Sequence, residues 1–195
     1  LVALHREKIT LFEKIIKHNL SFHISRQYNK PTCKLDDICC VEKSDLTESD
    51  LVDKGHDNNV VNATLLPIGF SAWTSNTPYI GLVKDGSCGK IVLMDSLTNV
   101  TSTMCRVYPK NGIELRYLYY ILKTINLDKY LSGSTIKHLY HKDWKHEKCF
   151  VEGNNQKRKK IIDLLSICED IILDETEIIT SLTKYKKYYL NKIFN

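Results

Sequence analysis

What the chain lacks sets the first limits. No apolar run approaches the roughly 20 residues that a membrane-crossing helix needs, and no charged-then-apolar leader is visible, so no membrane partner is expected. None of the seven cysteines (Cys33, Cys39, Cys40, Cys88, Cys105, Cys149, Cys168) forms a C-x-x-C pair. Structural zinc needs ligands paired at short regular spacing. The pattern therefore reads as free thiols in a reducing cytosol, with no metal site and a cytoplasmic location. There is no H-E-x-x-H, and His138-x-x-His141 lies beside Lys137 and Lys142, whose charge repels a metal ion. A nucleophile elbow, a phosphate-cradling glycine loop, a dinucleotide fingerprint and the N-P-P-[YF] tetrapeptide of base-modifying methyltransferases are all missing. These absences argue against catalysis by the chain itself and against a cofactor of its own. Cys88 sits between Gly86 and Gly89, but with no histidine placed to activate it the residue reads as structural. The chain starts at Leu1, already inside a helical pattern and without an initiator Met, so it reads as a fragment or an excised piece.

What is present is polarised. The formal net charge is only +5, yet residues 34–57 hold eight acids against three lysines. Residues 84–160 hold fifteen Lys or Arg against seven acids. A basic stretch of that size is either a solvated face or the footprint of an anionic partner.

Three regions separate by period. Leu4, Leu11, Phe12, Ile15, Ile16 and Leu20 recur at three- and four-residue steps and predict a helix over residues 3–22. Residues 21–62, with Pro31 and many Asp, Ser and Asn, predict loops and short strands. Strands are predicted at Tyr79-Ile-Gly-Leu-Val83, at Lys90-Ile-Val-Leu-Met94 and over residues 100–107, with turns at Asp85-Gly86-Ser87 and residues 95–99. Leu115, Leu118, Tyr119, Leu122 and Ile125 then predict a helix, preceded by a break at Asn111-Gly112. Residues 156–194 contain no Gly or Pro and carry a heptad-like stripe that includes Ile161, Leu165, Cys168, Ile171, Ile178, Leu182 and Tyr185. At 1.5 Å per residue such a helix runs about 60 Å, the length of a projecting coiled-coil arm. Ile171, Ile178, Leu182 and Tyr185 are the expected helix–helix contacts. The two helical ends also echo one another, since Glu7-x-Ile-Thr10 matches Glu177-x-Ile-Thr180.

Short polar and cationic side chains gather at the predicted turns of the β-rich part. Thr74, Ser75, Asn76, Lys84 and Lys90 form one group, and Ser134, Thr135, Lys137, His138 and Tyr140 the other. Ammonium groups neutralise phosphates, while hydroxyls, amides and imidazole exchange hydrogen bonds with base edges. Serine and threonine also simply fill turns. Lys157-Arg-Lys-Lys160 opens the long helix, where cations oppose the helix dipole at a cost of a few tenths of a kcal/mol each. That placement suits a nearby anion, either a phosphate or an acidic surface, unless the patch is merely solvated.

Together these segments resemble one family. Tyr79-Ile-Gly-Leu-Val-Lys-Asp-Gly-Ser-Cys-Gly-Lys90 resembles the strand–turn–strand of type I restriction–modification specificity subunits. Leu115-x-Tyr-Leu-Tyr-Tyr-Ile-Leu122, then Ser132-Gly-Ser-Thr-Ile-Lys-His-Leu139 with Lys142-Asp143, and finally Gln156-Lys-x-x-x-Ile161, follow the family's order and spacing. Cys149-Phe-Val-Glu-Gly-Asn-Asn155 replaces the usual proline-rich strand, and residues 23–65 match nothing distinctive.

The resemblance implies an α+β protein, a β-rich target-recognition domain flanked by long helices packed as an antiparallel coiled coil. Residues 1–22 would end a central spacer helix, 23–155 would be the recognition domain and 156–195 the distal helix. It further implies a non-catalytic DNA specificity subunit that reads one half of a bipartite double-stranded DNA target and docks methyltransferase subunits. The restriction endonuclease would join through the complex, and S-adenosylmethionine and ATP would belong to those partners. A homodimer is expected if the chain is a half-subunit. Three alternatives stay open: a coiled-coil scaffold with a protein-binding β domain, the recognition part of a single-chain restriction–methyltransferase, and a cysteine enzyme using Cys88 with His138 or His141.

Overall fold

The computed structural model describes residues 1–25, 30–51, 58–71, 75 and 77–194, the last by its backbone alone. Along the chain lie α1 (Val2–His23), β1 (Cys33–Lys34), α2 (Leu35–Ile38), β2 (Cys39–Lys43), β3 (Asn58–Val61), β4 (Pro67–Ser71), β5 (Tyr79–Val83), β6 (Ile91–Met94), β7 (Thr98–Val100) and β8 (Met104–Pro109). Then follow α3 (Leu115–Thr124), β9 (Leu131–Ser132), β10 (His138–Leu139), α4 (His141–Trp144), β11 (Lys148–Cys149) and α5 (Asn155–Phe194). Short 3₁₀ turns occupy Glu48–Asp50 and Leu127–Tyr130. The class is α+β. The chain divides into two compact units, one of Leu1–Tyr28 with Glu152–Asn195 and one of Asn29–Val151.

In the first unit α1 lies against α5. Ile16 on α1 and Ile161, Leu165 and Cys168 on α5 are buried, at the three- and four-residue spacing that puts α5 side chains on one helix face. The seam then turns polar. Glu175, 8% exposed, accepts hydrogen bonds from His5 and from Lys8 Nζ, the latter at 3.0 Å. Two of the four expected contacts are corrected here. Ile178 is 41% and Tyr185 64% exposed, so neither packs into this seam, while Ile171 and Leu182 are half-buried. The long helix carries two apolar faces, and the stripe read from its sequence merged them.

Two of the four cations at the start of α5 find local partners. Asn154 caps the helix, its Oδ1 accepting from the backbone N–H of Gln156 (2.9 Å) and Lys157 (3.1 Å). Arg158 is buried and donates from its guanidinium to the Glu152 carbonyl at 3.0 Å, and the Glu152 carboxylate stands 3.8 Å from Lys157 Nζ. Glu152 thus supplies a local anion for Lys157, while Lys159 and Lys160 are exposed.

The second unit is built on a four-stranded antiparallel sheet, order β2-β8-β5-β6, and a three-stranded sheet, order β4-β3-β7, in which β3 and β7 run parallel. All five residues of β5 are buried. Tyr79, Val83, Met94 and Met104 meet Val61 and Val100 in one core, and α3, with Tyr117, Leu118, Tyr120, Ile121 and Leu122 buried, packs on β5, β6 and β8. Gly81 suits this crowding, since a Cβ there would lie 3.1 Å from the terminal methyls of both Met94 and Met104 and would ask them to give by a few tenths of an ångström. The predicted third strand is divided in two. Val100 belongs to β7, and Met104 N–H donates to Thr101 O at 2.9 Å across a turn before β8 begins.

Two small ladders complete the unit. β1 pairs with β11 and β9 with β10, both antiparallel. Among the described residues no helix is long and apolar enough to cross a membrane.

Candidate nucleic-acid interface

The β9–β10 hairpin presents a five-residue tip, residues 133–137, every one of them exposed. Gly133 makes the turn possible. Its φ is +91°, and a Cβ would fall 2.2 Å from the Ile136 carbonyl oxygen, so no other residue fits. Ser134, Thr135 and Lys137 stand on this tip, where the Lys137 ammonium donates to Gly133 O at 2.9 Å. At the end of the hairpin His138 stacks on Tyr140, rings 5.9 Å apart and 16° from parallel, and Lys142 lies 5.5 Å over the Tyr140 ring.

The other candidate group comes to the same place through backbone bonds. Leu139 N–H donates to Lys84 O at 2.8 Å, Gly86 N–H to Lys137 O at 3.0 Å, and Asp85 forms an isolated bridge with His138. Cys88 Sγ donates to the carbonyls of Lys84 and Lys137, each at 3.0 Å. The turn over residues 84–90 and the hairpin over 131–140 thus form one surface, although about fifty residues separate them in sequence. Lys90 is exposed and lines a shallow depression of about 300 Å³ with Cys88, Asn126 and Asp128.

Asp85 organises the charge of this surface. Its Oδ1 lies 2.7 Å from His138 Nδ1 and its Oδ2 2.5 Å from Lys84 Nζ. Burial pushes the carboxyl up, but the hydrogen bonds from Lys84 and His138 outweigh it and hold the group below the usual carboxylate range. An ionised carboxylate only accepts, so Nδ1 of His138 carries the proton and Nε2 is the nitrogen presented to any further partner. The result is an alternating array, Lys84, Asp85, His138, Tyr140, Lys142, beside hydroxyls at the hairpin tip.

Not all the sequence candidates belong to it. Ser75 is corrected: it is 8% exposed, its hydroxyl donates to Thr77 O at 2.7 Å and lies 3.0 Å from the Tyr108 hydroxyl, so it braces a loop from inside. Thr74 and Asn76 lie outside the described residues. Asp85 and Lys142 belong to the surface but were not among the candidates. In the sequence Asp85 is simply part of a turn, and nothing local marks the pairing that gives it a role.

The geometry does not favour a cysteine nucleophile. Burial and the neighbouring Asp85 push the Cys88 thiol up, its hydrogen bonds go to carbonyls, and His138 Nδ1 is turned to Asp85. His141 packs edge-on against Trp144, and burial pushes its pKa down.

No family model matches the sequence. No curated protein matches it either. Solved structures do. A type I restriction-modification system S subunit from M. genitalium superposes with a TM-score of 0.69 at 20% identity, covering 85% of this chain and 46% of that one. An HsdS subunit from Thermoanaerobacter tengcongensis gives 0.67 at 12% identity, covering 97% and 52%. A chain from a type I R-M system studied for complex assembly and conformational transition gives 0.66 at 13% identity, covering 99% and 54%. The fold is therefore that of type I restriction–modification specificity subunits. The chain spans about half the length of these structures.

Proposed function

We propose that this chain is a DNA sequence-specificity module of a type I restriction–modification system, with the recognition unit at residues 29–151 reading one half of a bipartite duplex target. One observation carries the reading. Two cationic, hydroxyl-rich segments distant in sequence converge on one exposed hairpin-and-turn surface, in a fold shared with specificity subunits. Lys90, Lys137 and Lys142 would neutralise phosphates, while Ser134, Thr135 and His138 Nε2 would meet base edges. A two-stranded hairpin is narrow enough for the major groove, about 12 Å wide. The chain supplies recognition and no catalysis, and it acts in the cytoplasm.

The helical unit would dock methyltransferase subunits, through which the endonuclease joins. Supporting this, Leu164, Ile171, Ile178 and Tyr185 recur at seven-residue steps along α5, and three of them are more than 40% exposed. Ile178, Leu182 and Tyr185 line an open depression of about 480 Å³ with Asp174, Glu177 and Ser181. A second copy of the chain could cover the same face, giving two half-sites.

Duplex binding measured across a salt series tests the reading. Each phosphate contact contributes a slope of about 0.9 in log affinity against log salt, so Lys137→Gln and Lys142→Gln should each flatten the slope by about one contact. Weak binding with no salt dependence in the wild type would favour a protein-binding scaffold instead.

A further inference from the structure

We propose that Cys33 and Cys149 form a thiol modification site, a dithiol that exchanges with low-molecular-weight disulfides and closes into an internal disulfide. The two residues face each other directly across the β1–β11 ladder, and their sulfurs are 3.5 Å apart. Surrounding bonds hold the register: Thr32 N–H donates to Cys149 O (2.9 Å), Leu35 N–H to Glu147 O (2.9 Å), and Val151 N–H to Thr32 Oγ1 (2.9 Å). Directly opposed residues in antiparallel strands have Cβ atoms about 4.5–5.5 Å apart, and a disulfide needs about 3.5–4.5 Å. Closure therefore asks for a shift of about an ångström in a ladder only two residues long.

The other cysteines are engaged differently. Cys39 donates to Leu35 O, Cys105 to Leu82 O and Cys88 to two carbonyls, so among the described residues Cys33 and Cys149 alone bring sulfur against sulfur. Cys33 is half-buried and Cys149 is 1% exposed, which orders the chemistry. The Cys33 thiolate attacks the S–S bond of a small disulfide such as oxidised glutathione, making a mixed disulfide and releasing one thiolate. Cys149 then gives its proton to water and attacks Cys33 Sγ, forming the Cys33–Cys149 bond and expelling the second thiolate. Two protein thiols are oxidised and one small disulfide is reduced to two thiols. Burial and the adjacent Cys33 push the Cys149 thiol up, so the second step is slow at neutral pH and quickens as pH rises. The bond would tie the first strand of the recognition unit to its last, across 116 positions.

The site does not depend on the DNA-reading proposal. Its test is incubation of the whole folded chain in oxidised and reduced glutathione at mildly alkaline pH, followed by acid trapping and non-reducing peptide mass spectrometry. The expected product is a Cys33–Cys149 cross-link that reduced glutathione reverses, that Cys33→Ser abolishes and that Cys88→Ser leaves intact. Glutathione retained on Cys33 without a cross-link, cross-links to other cysteines in equal yield, or two thiols that stay alkylatable would each overturn it. Oxidised chain should also melt several degrees above reduced chain. An unchanged or lower melting temperature would mean that the bond traps a distorted ladder, and would count against the site.

Discussion

Asp85 accepts the Nδ1–H of His138 at 2.7 Å, joining the turn after β5 to the β9–β10 hairpin across 53 positions of sequence. This contact fixes the tautomer of an imidazole on the surface proposed to read DNA, while Lys84 Nζ, 2.5 Å from the other carboxylate oxygen, offsets a charge that would otherwise repel phosphates.

Asp85→Asn keeps the side-chain shape and removes the charge that orients His138. The expected effect is a loss of discrimination: the ratio of target to non-target affinity falls about tenfold, or about 1.4 kcal/mol. His138→Gln should cost a similar amount, and the double variant little more than either, because both remove one coupled interaction. Fluorescence anisotropy with target and scrambled duplexes checks this, circular dichroism confirming the fold. Losses that simply add would refute the coupling.

His141 gives the recognition unit a pH dependence. Burial depresses its folded pKa below the ordinary 6.5, outweighing Asp36 at 3.9 Å, and Lys145, Lys110 and His146 push the same way as burial. The unfolded chain thus binds more protons than the folded one just below 6.5, so this contribution to stability is present above 6.5 and lost as pH falls toward the folded value. Denaturant midpoints should drop across that window in the wild type and drop less in His141→Phe.

The seam between α1 and α5 is tested by truncation at contrasting positions. Leu165 is fully buried, and Leu165→Ala should destabilise by about 2–5 kcal/mol. Ile178→Ala and Tyr185→Ala, on the exposed face, should change the stability of the isolated chain by no more than about 0.5 kcal/mol. Equal costs at buried and exposed positions would contradict the assignment of faces.

Glu175 carries the polar part of that seam. Its hydrogen bonds from His5 and Lys8 hold the carboxyl below the usual range, so its stabilising contribution is present above about 4.5 and lost as pH falls further. Glu175→Ala should lower the melting temperature near neutral pH, with the difference from wild type shrinking in acid.

How far the sequence could be read depended on whether the signal was local. The stripe of α3 and the Gly- and Pro-free run of α5 announce themselves, because helical periodicity is written within a few turns. The pairing of β1 with β11 and the parallel run of β3 beside β7 involve strands of two to four residues that meet far along the chain, and no local period encodes such meetings. Val100 and Met104 looked like one strand because alternation survives a short turn. Within the site, the residue types at 84–90 and 134–140 were legible, but not their convergence. Ser75 misled because a hydroxyl that binds its own backbone and one that faces a ligand have the same sequence signature.

The most direct test of the central claim is selection of bound duplexes from a random double-stranded pool, using the chain assembled with a cognate methyltransferase subunit. The account predicts enrichment of a short fixed half-site, with affinity falling steeply as salt rises. A demonstrably assembled complex that enriches no motif would contradict it, and would leave the chain as a helical scaffold that borrows the specificity-subunit fold.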